Sequence, residues 1–151
     1  MKPEQLQTLE RLVGTWKGKR MRYESGDIKS DVEVELEVRR IVDGWWFEST
    51  MVSEIPGVGE YRERDLWGYD PAEKSIHMFS VKNMGQSHDH AGAWEDEKTL
   101  RLKYTGVANG KDSVVEEIMM TFNNGHMELL NSARVNGKIR VLFEGTLTRQ
   151  V

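Results

Sequence analysis

The chain has 151 residues, 38% of them hydrophobic, a length and composition that suit one compact core and do not suit a disordered chain. Its 21 basic and 25 acidic residues leave a net charge of −4, the wrong sign for binding by phosphate neutralisation, so no nucleic-acid partner is expected. The lack of cysteine excludes disulfides, thiolate catalysis and Cys-type zinc or iron–sulfur sites. With no apolar leader in Met1-Lys2-Pro3-Glu4-Gln5-Leu6-Gln7 and no window near the roughly 18 apolar residues of a membrane span, the expectation is a soluble cytoplasmic protein with no membrane partner.

From Pro3 to Val13, a proline near the start and Leu6, Leu9 and Val13 on one face predict a short helix that could plug one end of the fold. Turn signals then recur along the chain: Ser25-Gly26-Asp27, Asp43-Gly44, Pro56-Gly57-Val58-Gly59, Asp70-Pro71, Asn83-Met84-Gly85, Glu95-Asp96-Glu97, Asn109-Gly110, Asn123-Asn124-Gly125 and Asn136-Gly137. Asn and Gly reach positive φ cheaply, as tight hairpin turns require, so adjacent antiparallel strands follow. Between the turns, apolar and charged residues alternate in Val32 to Arg39, in Leu100 to Tyr104 and in Lys138 to Glu144, the mark of strands with one buried face. About ten strands with short links make an up-and-down meander, which leaves exposed edges unless it closes. The predicted fold is all-β: a single closed antiparallel up-and-down barrel over residues 1–151 with a short N-terminal helix, favoured over a two-sheet sandwich.

Leu12-Val13-Gly14-Thr15-Trp16-Lys17-Gly18 resembles the Gly-x-Trp opening of the calycin barrels, the group of the lipocalins and fatty-acid-binding proteins. That resemblance implies that Trp16 closes the barrel floor and that Arg149, in Gly145-Thr146-Leu147-Thr148-Arg149, packs over its indole. A closer resemblance, over nearly the whole chain, is to bacterial lipocalin-like and nitrobindin-like barrels of unassigned function. It rests on Gly14-Thr15-Trp16, Trp67-Gly68-Tyr69-Asp70-Pro71, Gly92 with Trp94, Lys98-Thr99-Leu100 and Thr148-Arg149. Nitrobindins hold haem through a late histidine; here the last histidine is His126 and the closing strand from Lys138 to Arg149 has none, so no cofactor is expected.

By alternation the inward set includes Val34, Leu36, Val38, Trp45, Phe47, Met51, Leu100, Leu102, Tyr104, Ile139, Val141 and Phe143, with Met78, Met120 and Met127 as adaptable filling. A barrel this wide is expected to keep an interior cavity. On Tyr61 to Tyr69, Glu63 and Asp65 share the face of Tyr61, Trp67 and Tyr69, which would carry two carboxylates inward, where burial demands a cation, several donors or a proton. His88 and His90 lie two apart on a predicted strand and share a face; a metal would need a third or fourth ligand, and whether His77 joins them depends on hairpin register, so no metal is predicted. Pro56-Gly57-Val58-Gly59 reads as a flap beside the mouth, and His126 as exposed.

No Gly-x-Ser-x-Gly, Walker loop, dinucleotide fingerprint or His-Glu-x-x-His occurs. The predicted function is binding of a small, largely apolar molecule in the barrel interior. Trp45, Phe47, Trp67, Phe79, Tyr104 and Phe143 are the expected wall, and Glu63, Asp65, His88 and His90 the polar contacts. Two rivals belong to other classes: a barrel enzyme in which a histidine and a carboxylate transfer protons on an enclosed substrate, and a filled barrel whose outer surface serves as an interaction or homo-oligomer interface.

Overall fold

A computed structural model describes residues 1–151. Each sequence turn reverses the chain, giving strands β1 (Gly14–Ser25), β2 (Ile28–Ile41), β3 (Trp46–Ile55), β4 (Gly59–Asp70), β5 (Ser75–Lys82), β6 (Ser87–Trp94), β7 (Thr99–Ala108), β8 (Asp112–Asn123), β9 (His126–Val135) and β10 (Lys138–Arg149). Every strand pairs antiparallel with its sequence neighbours, and β1 pairs with β10, so the sheet is a closed barrel and no edge remains. The Asn-Gly turns behave as their chemistry requires: Asn109, Asn124 and Asn136 all have positive φ, as do the glycines that follow them.

The N-terminal segment is a helix α1 (Glu4–Thr8) that tightens into a 3₁₀ turn, Leu9–Leu12. Because a 3₁₀ helix repeats every three residues, the buried stripe is Leu6, Leu9 and Leu12, in place of the expected Leu6, Leu9 and Val13. This stripe plugs the base. There Trp16 is buried, its Nε1 donates to the Leu12 carbonyl at 2.8 Å, and the Arg149 guanidinium lies over its ring at 4.2 Å. Arg149 also donates to the carbonyls of Val13 and, at 2.6 Å, Arg11, so one side chain ties the last strand to the entry of the first. Gly14 is required by this contact: its φ is +133°, and a Cβ there would sit 2.8 Å from Nη1 of Arg149.

Inward and outward faces follow the alternation except where the backbone is bulged. In β1 the register shifts between Gly18 and Met21, which keeps Trp16, Gly18, Met21 and Tyr23 all inside. In β10 it shifts between Ile139 and Val141, which moves Ile139 out to 50% exposure, against expectation. Two further residues leave the expected wall. Val42, Asp43 and Gly44 form a positive-φ turn that leaves Trp45 ahead of β3 and 47% exposed, with the Lys2 ammonium 5.6 Å from its ring. Phe79 belongs to the outer face of β5, opposite Leu66, because Ile76, Met78 and Ser80 take the inner one; it is 44% exposed.

Candidate functional site: a cavity with one polar wall

The base is filled, but the other end is not. A cavity of about 590 Å³ occupies the upper barrel and opens among the hairpin turns, including that of β3 and β4, where Val58 stands at the rim. Its two sides differ in chemistry. On β9, β10, β1 and β3, Ala133, Val141, Phe143, Tyr23, Met51 and Ile55 form an apolar wall. On β4 to β8, Tyr61, Lys82, His88, Tyr104 and Glu116 form a polar one.

Glu116 is the centre of the polar wall. Its Oε2 lies 2.8 Å from His90 Nε2 in a hydrogen bond, and its Oε1 lies 2.9 Å from His88 Nδ1, close enough for charge attraction but out of line for a hydrogen bond. Burial alone would raise its pKa. The His90 hydrogen bond, the Lys82 charge and His88 outweigh that and hold it at about 2, so Glu116 is a carboxylate at every ordinary pH. His90, 2% exposed, has its other nitrogen 3.3 Å from the Met78 carbonyl, so each ring nitrogen faces an acceptor. His88 is nearer the open space, and its ring stacks on Tyr104 with centroids 4.0 Å apart and planes 11° from parallel.

Behind this wall lie two buried acids. Asp65 accepts from Ser49 Oγ at 2.7 Å, and that hydroxyl accepts in turn from Trp67 Nε1 at 2.9 Å, while Asp65 Oδ1 has no partner. Burial, helped by the neighbouring Glu63, raises the Asp65 carboxyl well above the usual range. Burial also raises Glu63, against the pull of Lys82, whose Nζ is 3.9 Å from its Oε1. The Tyr61 hydroxyl is pushed up by burial and by the nearby Glu63 and Asp65. The wall therefore combines a fixed carboxylate between two imidazoles with two carboxyls biased towards their protonated forms.

Residues 2–149 match a family described as a protein of unknown function, DUF1579. The chain belongs to the DUF1579 family. Among solved structures, the crystal structure of Rv2717c from M. tuberculosis is similar over 100% of both chains, with a TM-score of 0.74 and 15% identity, a likeness of fold. No curated protein matches.

In this DUF1579 barrel the sequence-predicted site residues separate into groups. His88, Tyr104 and Phe143 line the cavity. Glu63, Asp65 and His90 are buried beside or beneath it on the polar side, and Phe47 and Trp67 are buried in the packing towards the base. Trp45 and Phe79 are outside, as described above, and take no part in the wall. His77 also faces outward, where Asp89 at 3.0 Å and Glu73 at 2.6 Å hold it, so it does not join His88 and His90; burial opposes its protonation, but these two carboxylates win and raise its pKa. His126 is exposed.

Sequence reasoning did not single out Glu116, Lys82 or Arg140. A signal was present for Lys82, which shares the parity of Ile76, Met78 and Ser80 on β5, whereas Glu116 lies on a strand whose two parities, Val114, Glu116, Ile118 and Val115, Glu117, Met119, read alike. Arg140 reaches the cavity through the β10 bulge, which alternation cannot reveal.

Proposed function

We propose that this protein binds a small, largely apolar molecule inside a calycin-like barrel, with Phe143 on the apolar side and Tyr104 and His88 on the polar side as contacts. One observation carries this reading: the upper barrel keeps a cavity of about 590 Å³ that is open at one end and mostly apolar, within the range of small-molecule sites. Glu63, Asp65 and His90 act from behind as the polar support that orients the wall, through Glu116 and Lys82.

The test is fluorescence titration with a neutral apolar dye such as N-phenyl-1-naphthylamine, beside native mass spectrometry of freshly purified protein. Wild type should take up one equivalent, and Ala133→Trp, which fills the cavity from β9, should lose that binding while unfolding at a similar temperature. Equal dye binding by both proteins would place the dye elsewhere and sink the reading.

His88 supports a second reading. A histidine that faces a cavity and is backed by a carboxylate at 2.9 Å has the arrangement of a general acid–base group. Under this reading the barrel encloses a substrate and His88 moves a proton on it. Turnover lost in His88→Ala with ligand binding retained would favour it.

A further inference from the structure

The charged groups around the cavity differ in how far the protein itself satisfies them. Glu116 is fully engaged, with an imidazole nitrogen within 3 Å of each oxygen. Lys82 is not. Its side chain is only 14% exposed, it makes no hydrogen bond, and its nearest carboxylate oxygen, on Glu63, is 3.9 Å away. The Glu116 carboxylate feels the Lys82 charge but has both oxygens taken by imidazoles, and burial biases Glu63 towards its neutral form, so neither acid gives the ammonium a close acceptor. An ammonium has three donors and gains most from a close anionic acceptor, so a mostly buried one with no acceptor leaves that gain for a ligand to supply.

A second cation makes the same point from the opposite side. In the ring, β10 stands across from β5, and the bulge between Ile139 and Val141 brings Arg140 to the cavity rim. Arg140 has neither an ion pair nor a hydrogen bond with the rest of the chain. A bulge that turns a guanidinium towards a cavity is the kind of backbone device that re-aims a side chain at a site. Two cations without protein acceptors thus border a space whose one fixed anion is already engaged, and low-dielectric walls focus their field into it.

Resting on the binding function above, we infer that the cavity selects a ligand that bears an anionic group on its apolar body, with that group seated at Lys82 and drawn in past Arg140. The apolar body then lies against Phe143, Val141 and Ala133 on the opposite wall. The polar wall supplies an anion subsite, and the ligand class is an amphiphilic acid, not a neutral hydrocarbon or an amine.

Three probes with the same twelve-carbon chain test this below their micelle concentrations: dodecanoate, dodecanol and dodecyltrimethylammonium, each titrated by calorimetry into wild type, Lys82→Met and Arg140→Met. Wild type should bind dodecanoate about tenfold or more tighter than dodecanol, as expected for a charged hydrogen bond, and should bind the ammonium weakest. In Lys82→Met the ratio of dodecanoate to dodecanol affinity should fall to about one, and in Arg140→Met it should fall less and lose part of its salt dependence. Dodecanol bound as tightly as dodecanoate by wild type, or a charge preference that survives both substitutions, would overturn the inference and leave the binding function standing. Failure of all three probes to bind would remove both. Should Lys82→Met not fold, Arg140→Met at the exposed rim decides: an unchanged ratio there counts against the anion subsite.

Discussion

At the base of the barrel the inward side chains meet one another, whereas towards the mouth they face open space. The strands that build the two regions are the same and alternate in the same way. The difference lies in what is added to the ring. At the base, Leu6, Leu9 and Leu12 come in from outside the sheet, Arg149 lies over Trp16, and the bulge in β1 keeps Met21 pointing inward. At the mouth nothing is inserted between the hairpin turns. A ring of this width cannot fill itself with side chains alone, so packing is complete only where a second element enters it.

This contrast predicts that stability resides at the base and recognition near the mouth, and substitutions can break or sharpen it. The largest effect belongs to Trp16→Ala. It removes a buried indole, its hydrogen bond to Leu12 and the platform for Arg149, and should cost about 3–5 kcal/mol in urea unfolding. A cost under about 1 kcal/mol would end the idea of a base that carries stability. Next is Gly92→Ala on β6, where a Cβ would stand 1.9 Å from the carbonyl oxygen of Arg101 on β7. Those backbones must separate, and a loss of about 2 kcal/mol is expected, with faster amide exchange along the β6–β7 ladder.

Glu116→Gln probes the polar wall. A carboxyl held at about 2 when folded and near 4.5 when unfolded adds stability that is complete above the unfolded value and disappears as pH falls from 4.5 to about 2. After solvent screening this is on the order of 2 kcal/mol, so Glu116→Gln should be weaker than wild type by that amount at neutral pH and converge with it in acid. Parallel acid-unfolding curves would contradict the pairing with His88 and His90. Phe143→Leu, at the apolar wall, should cost only about 1 kcal/mol because its ring already borders open space. The subtlest change is Asp65→Asn. Burial raises the Asp65 carboxyl, so its contribution is fullest below the unfolded value and is lost as pH rises through the folded one; the amide removes that loss, and Asp65→Asn should flatten the fall in stability that begins as pH rises above the ordinary aspartate range. A steeper fall with rising pH in the variant would refute the assignment.

Much of the architecture was legible because it depends on local rules. Turn chemistry located the reversals from Ser25 to Gly137, and period-two alternation located the faces of β2 and β7. The pairing of Trp16 with Arg149 was legible only through resemblance, since nothing local to either residue implies a contact across the closing pair of strands. The misplaced residues fail for identifiable reasons. Alternation with Phe47 and Met51 reads Trp45 as inward, and Phe79 is read as part of the wall, yet a positive-φ turn ahead of β3 and the strand parity of β5 put them outside. Ile139 follows the alternation up to a bulge that the sequence does not signal. Glu116 went unnoticed because β8 reads Val-Val-Glu-Glu-Ile-Met-Met, in which both parities mix apolar and acidic residues. The neighbours of Glu116 in the site are contributed by other strands, and that juxtaposition is a property of the closed ring.

The order of strands around the ring also bears on how the molecule forms. Nine of the pairings join consecutive strands, each across a short reversal, and can assemble as a growing ribbon of hairpins. The remaining pairing, β1 with β10, brings together segments at the two extremes of the sheet, and it is the same pairing that Arg149 secures against Trp16. Loop-closure entropy for that step is borne across almost the entire chain, and such non-local contacts dominate the folding times of small domains. Refolding should therefore pass through an open, curled ribbon with two free edges, and the sealing of that seam sets both the slow phase and the interval in which the chain is most exposed to aggregation.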